Sequence, residues 1–185
     1  KTAAVQAQAE TPMLFSQIRQ PSTKYLAVPE VSSQNRKYIP IGFLTPDIIA
    51  SNKLYLVPNA DLYMFGIMTS NVHMAWMRVI AGRLKSDYSY SPAVYNNFPW
   101  PTPTDEQKAK IEQTSQAILD ARDLYPDASL ADLYDPATMP PELVKAHQEN
   151  DKAVMRAYGF DIKTTTESSC VAELMRRYQG LMEEA

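Results

Sequence analysis

The sequence predicts an α+β fold: a small sheet edged by prolines, with one helix packed on it, followed by an all-helical region. Three observations carry this. Short β-prone runs separated by turn residues fill positions 25–57. Helix caps and helical periodicity dominate after Pro103. Charge changes sign at the same place. Residues 1–103 hold 9 Lys+Arg against 5 Asp+Glu, a balance of +4, and residues 104–185 hold 9 against 16, a balance of −7. Two units, 1–103 and 104–185, are therefore expected.

Residues 1–12 read as a frayed or helical lead-in. The runs KYLAVPEV, KYIPIGFL and LYLVP then alternate with Ser-Ser-Gln-Asn-Arg, Thr-Pro-Asp and Pro-Asn-Ala-Asp, which are turn chemistry. Pro29, Pro40 and Pro58 lie in or beside these runs, so edge positions or bulges are expected. Ser70 or Asn71 can cap a helix over about 70–83, with Val72, Ala75, Trp76, Val79 and Ile80 on one face and Gly82 near its end. Prolines 99, 101 and 103 stiffen a junction. Thr104-Asp-Glu-Gln107 is a capping box, with Ile111, Ile118 and Leu119 as an apolar stripe up to Tyr125-Pro126. Further helices are expected over about 128–134, from Pro140 to Tyr158 with a stop at Gly159, and from about Ser168 to Met182.

The composition excludes several classes. With 185 residues, 45% of them apolar, the chain can bury a real core. No apolar run is long enough to span a bilayer. The start, KTAAVQAQAETPM, lacks the order of a signal peptide, and without an initial Met it is expected to continue upstream. Cys170 is the single cysteine, which precludes an internal disulfide. His73 and His147 are too far apart in sequence to suggest a metal site, and His73 reads as a packing or surface residue. A reducing, cytoplasmic setting is expected.

The stretch YNNFPWP, residues 95–101, superficially resembles the (Asn/Asp/Ser)-Pro-Pro-aromatic element with which adenine methyltransferases grip a flipped base. Asn97 is followed by Phe98, however, so the rigid Pro-Pro backbone is missing. The five glycines are isolated and form no cofactor-binding turn. No Gly-x-Ser-x-Gly marks a nucleophile. YNNFPWP therefore reads as a domain junction that Phe98 and Trp100 staple to the core. No catalytic, cofactor-binding or metal-binding residue is expected in this chain.

The words YLAVPEVSS, NRKYIPIGFL, HMAWMR, GRLKSDYSYS and VYNNFPWP resemble the C-terminal part of MmeI-like DNA methyltransferases, and LYDPATMPPELVKAHQENDKAVMRAYGF resembles their C-terminal helical domain. The resemblance covers roughly residues 10–185. It implies sequence-specific recognition of double-stranded DNA on behalf of an adenine-N6 methyltransferase of restriction–modification. S-adenosylmethionine would be the cofactor of the parent enzyme, bound upstream of Lys1 in a methyltransferase domain of the same chain, possession of a nuclease being left open. A non-catalytic scaffold module is the alternative, and an independent hydrolase with a cryptic site a weaker one.

The resemblance also places variable base-reading positions at Glu30, Asn52, Lys85 and Asp87, and Lys53 and Ser89 are further candidates for base reading. In the major groove a carboxylate accepts from cytosine N4, an amide serves either edge, and an ammonium donates to guanine O6 and N7. Glu30 with Asn52 suits a C·G pair, Lys53 beside the small Ser89 suits a guanine, and Lys85 with Asp87 suits a G·C pair. Lys85-Ser86-Asp87 is expected to run extended or to turn; if extended, the pair would point the same way. An exposed ion pair or a turn role is the ordinary alternative for each. Arg36, Lys37, Arg78 and Arg83 lie in the basic half and are candidates for phosphate contacts, which position without specifying.

Overall fold

The computed structural model describes residues 2–14 and 18–183. After a lead-in helix α1 (Ala3–Ala9), the strands β1 (Tyr25–Pro29), β2 (Val31–Ser32), β3 (Gly42–Leu44) and β4 (Leu54–Pro58) follow in turn. Helices α2 (Leu62–Met68) and α3 (Asn71–Ile80) come next, then β5 (Gly82–Leu84), β6 (Asp87–Ser89) and α4 (Pro92–Asn96). The rest is helical: α5 (Asp105–Asp123), α6 (Leu130–Leu133), α7 (Pro141–Ala157) and α8 (Glu167–Glu183).

The expected mixture of strands, a packed helix and a helical C-terminal region is present, but the strands form two antiparallel sheets rather than one. Their orders are β3-β1-β4 and β2-β6-β5. A single β run feeds both. The Glu30 N–H donates to the Lys53 carbonyl at 2.9 Å, extending the β1–β4 pairing, while its carbonyl accepts from the Tyr90 N–H at 2.7 Å, where the β2–β6 pairing begins. Pro29 stands in the central strand β1, not at an edge. It is tolerated because the strand leaves its sheet there and loses only one donor. Pro58 does close an edge strand.

Helix α2 escaped the sequence reading because its LYMFGIM run is short and lacks a polar face. Asp61 starts it by accepting from the Met64 N–H at 2.8 Å. Ser70 caps α3 through the His73 N–H at 3.3 Å. That helix stops at Ile80, short of the expected Arg83, because Ala81 adopts extended dihedrals and Gly82 pairs with Ser89. Val79 points to solvent instead of the core, while Val72 through Met77 are all buried. Such all-round burial follows from the contacts of α3 with α2, α4, α7 and α8.

The capping box on α5 forms as its sequence implies: Thr104 Oγ1 accepts from the Gln107 N–H at 3.2 Å and Gln107 Oε1 from the Thr104 N–H at 2.9 Å. Helix α7 ends in a Schellman motif. Gly159 takes a left-handed φ of 75°, the Phe160 N–H donates to Met155 and the Gly159 N–H to Arg156. Helix α5 packs on both α7 and α2, so one apolar core runs from Leu26, Phe65 and Trp76 through Ile111, Val154 and Leu174. The YNNFPWP stretch crosses this core. Phe98 is 2% exposed and meets His73 and Trp100 edge-on, while Trp76 Nε1 donates to the Val94 carbonyl at 2.9 Å. Truncating either ring would cost about 3–5 kcal/mol.

Behind the loop between β2 and β3 lies a buried polar seam. Arg122 donates to Tyr134 Oη and to the Ile41 carbonyl, and Tyr134 Oη meets His147 Nε2 at 2.6 Å. His147 stacks on the Tyr38 ring with centroids 4.0 Å apart. The Tyr38 hydroxyl donates to Asp151 Oδ2 at 2.6 Å, and the Asn71 N–H donates to Asp151 Oδ1 at 2.7 Å. Burial pushes the Asp151 carboxyl up to about 6, against the opposing pull of these two donors.

Candidate nucleic-acid interface

The crossover at Glu30 brings separate pieces of chain to one edge. Glu30 sits at the bend between the sheets, and Asn52 and Lys53 form the turn that enters β4. Glu30 Oε2 meets Lys53 Nζ at 3.1 Å, with the lysine side chain 72% exposed and the glutamate 30%. The Ser51 hydroxyl accepts from the Lys53 N–H at 3.2 Å and shapes this turn. Ser89 pairs with Val31, the residue directly after Glu30. Glu30, Lys53 and Ser89 are thus neighbours in space although they come from three parts of the sequence.

Of the extended and turned forms expected for Lys85-Ser86-Asp87, the turn is the one present, so the two side chains do not share the alternation of an extended strand. Leu84 pairs with Asp87, so Lys85 and Ser86 form a two-residue hairpin connection. Lys85 has a left-handed φ of 56°, a conformation that is uncommon for a side chain with a Cβ. It stands exposed at the turn, while Asp87 lies half-buried on the strand. Cross-strand partners share a face, so Leu84, Asp87, Ser89 and Val31 point one way. Arg83, Tyr88 and Ser32 point the other, where Tyr88 and Ser32 are buried. The Asp87–Ser89 face is therefore the outward one.

Two features of this face escaped the sequence reading. The Gln34 backbone N–H donates to Asp87 Oδ1 at 3.2 Å. Leu84, opposite Asp87, is an exposed apolar residue on the same face. The Ser-Ser-Gln-Asn-Arg turn was legible, but its reach across 53 positions to Asp87 has no local signature.

The four candidate phosphate-binding cations are spread more widely. Lys37 is exposed, with its ammonium 5.4 Å from the Tyr38 ring centroid. Arg36 reaches the Ala131 carbonyl at 3.5 Å. Arg83 lies over the Tyr88 ring at 3.8 Å and donates to the Ser86 carbonyl at 3.0 Å, bracing the hairpin. Arg78 is drawn to α8 by Glu167 at 2.8 Å. Lys37 and Arg36 flank the same loop as Gln34; Arg78 belongs to the α3–α8 contact.

His73 is fully buried, with Nε2 3.0 Å from the Tyr90 hydroxyl, and burial lowers its pKa to about 3. Burial pushes the Cys170 thiol up to about 11, so it is a neutral thiol at pH 7. Among the described residues, no group of three or more His, Cys, Asp or Glu could hold a metal ion, and no helix is long and apolar enough to cross a membrane.

Comparison with known proteins agrees with the resemblance seen in the sequence. DNA methyltransferase A of Bacillus subtilis (strain 168) is 44% identical over 151 residues, which are 81% of this chain and 17% of that protein. The solved structure of the Type IIL restriction-modification enzyme MmeI in complex with DNA superposes over 99% of this chain and 24% of its own, with a TM-score of 0.89 and 48% identity. The chain thus spans less than a quarter of the structural relative and less still of the curated one. The family model for the MmeI target recognition domain matches residues 1–102 and that for the MmeI C-terminal domain matches residues 103–184, so the chain belongs to the MmeI family and carries its target recognition and C-terminal domains.

Proposed function

We propose that this chain reads a specific sequence in double-stranded DNA for a methyltransferase domain of the same polypeptide, which uses S-adenosylmethionine to methylate adenine N6. Family membership, a relative described as a DNA methyltransferase and a relative solved with DNA support this reading. The observation that carries it for this chain is a pair of adjacent exposed sites: the Glu30–Lys53 contact beside Asn52 at the bend between the sheets, and the outward face of β6 with Asp87 and Ser89 next to the exposed Lys85. Exposed donors and acceptors of this kind suit the major groove, where each base pair displays a distinct pattern. Lys85 serves guanine O6 and N7, and Asp87 accepts from the paired cytosine N4. Glu30 with Asn52 reads a second C·G pair, and Lys53 beside Ser89 serves a guanine. Lys37 and Arg36 hold phosphates, with Arg83 bracing the hairpin and able to join them; Arg78 would have to leave Glu167 to do so. The helical region, at −7, braces the fold rather than wrapping the polyanion.

The test is methylation of a randomised target library by the full-length protein carrying Lys85→Glu with Asp87→Arg. The preference should invert from G to C at one position, with discrimination changing there by about 1–3 kcal/mol. Uniform loss across all targets would assign these residues to phosphate holding or folding. An unchanged target would place them in solvent. A salt dependence of duplex affinity near zero would favour a protein scaffold instead.

A further inference from the structure

We propose that the backbone amide of Gln34 is a specificity-determining group: it holds one carboxylate oxygen of Asp87 so that the other faces the base edge. The inference rests on the reading of Asp87 proposed above and adds the group that orients it.

An aspartate carboxylate rotates about its terminal torsion, and its two oxygens are chemically equivalent when free. Here they are made unequal. Oδ1 accepts from the Gln34 N–H at 3.2 Å, a bond strengthened by the full charge of its acceptor. Asp87 itself is fixed on the outward face by pairing with Leu84 at the mouth of the hairpin. The donor is fixed as well. Ser33 accepts from the Arg36 N–H at 3.1 Å, closing a turn in which Gln34 is the first central residue, and the Ser33 hydroxyl accepts from the Asn35 N–H at 3.3 Å. One step further along, Tyr38 is buried and anchored to Asp151. The loop therefore offers Asp87 a donor whose position is set by the fold and not by a mobile side chain.

This arrangement has a consequence for substitutions at position 87. Asparagine differs from aspartate by one donor group. With the Gln34 N–H present, the oxygen of an Asp87→Asn side chain stays turned toward Gln34 and its NH2 faces outward. The protein then presents a donor where it had presented an acceptor, and the preferred base changes from cytosine, whose N4 donates, to one displaying an acceptor. Without that N–H, the amide can turn either way and discrimination relaxes.

The donor can be removed without breaking the turn. Proline has no N–H and is favoured at the first central position of common β-turns. The residue before it must be extended, and Ser33 directly follows β2. In Gln34→Pro the ring carbon occupies the place of the hydrogen, so Asp87 must rotate away. Gln34→Ala keeps the N–H and controls for the side chain.

The experiment is base-by-base methylation of a randomised target library by full-length protein carrying Asp87→Asn, Gln34→Pro, Gln34→Ala or Asp87→Asn with Gln34→Pro. Asp87→Asn should switch one base pair from an amino-bearing to an acceptor-bearing partner. Gln34→Pro should reduce discrimination at that same pair about tenfold, the worth of one hydrogen bond to a charged group, and Gln34→Ala should retain it. The double variant should be relaxed rather than switched. A shift with Asp87→Asn but none with Gln34→Pro would overturn the inference and leave the reading of Asp87 standing. No shift with Asp87→Asn would overturn both. Should Gln34→Pro fail to fold, hydrogen exchange of the Gln34 amide in the full-length protein decides. Exchange about tenfold faster in Asp87→Ala than in the unaltered protein supports the bond, and equal rates overturn it.

Discussion

The exposed surface made by the outward face of the β2-β6-β5 sheet and the adjoining Glu30–Lys53 turn, here called the edge, and the buried seam behind the β2–β3 loop use similar side chains under opposite conditions. Both contain carboxylates and cationic residues. In the seam, Arg122, Tyr134, His147, Tyr38 and Asp151 are each less than a tenth exposed and share a chain of short contacts. At the edge, Lys53 and Lys85 stand in solvent, and even the Glu30–Lys53 pair is largely hydrated. A buried polar group that loses its partner keeps its desolvation cost, whereas an exposed one recovers water. The edge can therefore change its chemistry freely while the seam cannot, which is the division a protein needs if its targets are to vary on a constant fold.

The largest expected contrast is with pH. His73 and His147 have folded pKa values near 3, lowered mainly by burial and, for His147, also by the Arg122 charge. Against an unfolded value near 6.5, their contribution is fully present above pH 6.5 and is lost as pH falls toward 3. Asp151 acts in the other direction. Its raised value of about 6 gives a contribution fully present below about 3.8 and lost as pH rises through 6. Two histidines outweigh one carboxyl, so urea midpoints should fall from pH 6.5 to pH 4, by several kcal/mol in unfolding free energy. Asp151→Asn should steepen that fall, because it removes the opposing contribution. A pH-independent midpoint would mean that both the seam around His147 and the packing around His73 open to water.

Arg122→Ala should come next, at about 3 kcal/mol, because it strips donors from Tyr134 and the Ile41 carbonyl and removes the cation over the Phe65 ring. Denaturant unfolding measures the loss. Base preference of the folded full-length variant should stay as it was, and a changed preference would join the two regions that the comparison separates. Gly66→Ala should cost about 2 kcal/mol or more. Its added Cβ would lie 2.1 Å from Ser115 Oγ and 2.7 Å from Ile111 Cγ2, where α2 presses on α5. Ser115→Ala should restore part of that loss, and its failure to do so would trace the cost to Ile111 instead.

The sequence exposed what is local and concealed what is not. The Thr104 capping box, the Gly159 stop and the Ser70 cap each depend on residues a few positions apart, and each formed as read. The mixed fold followed from where β-prone runs give way to helical ones. Division into two sheets did not, because it depends on one residue, Glu30, bonding in opposite directions to Lys53 and Tyr90. Periodicity puts Val79 in the core, yet it is exposed, because α3 is enclosed on nearly every other side and periodicity along it is a weak guide. At the candidate site, resemblance supplied the positions, and the contact of Gln34 with Asp87 spans 53 positions and leaves no local mark. The seam was hidden for the same reason: Tyr38 and Asp151 are 113 positions apart.

The smallest expected effect on stability lies at Glu30 and Lys53, and it sharpens the comparison most. Their 3.1 Å contact joins a lysine side chain 72% exposed to a glutamate 30% exposed. Such a pair gains little in high dielectric and gives up side-chain freedom to form, so it is worth about 0–1 kcal/mol. Glu30→Gln and Lys53→Ala should each shift the unfolding midpoint only slightly. Their double-mutant coupling should be within that range and should weaken as salt is raised toward ~1 M, where the Debye length is roughly 3 Å. The same cycle read on a target library should behave differently. Each side chain limits the directions open to the other, so removing Lys53 frees Glu30 to turn, and the two substitutions should alter base preference non-additively at the same or an adjacent base pair. A coupling in stability well above 1 kcal/mol would show that this edge is structural like the seam. Additive effects on base preference would show that the two residues contact the target independently and that their ion pair is only a feature of the unbound protein.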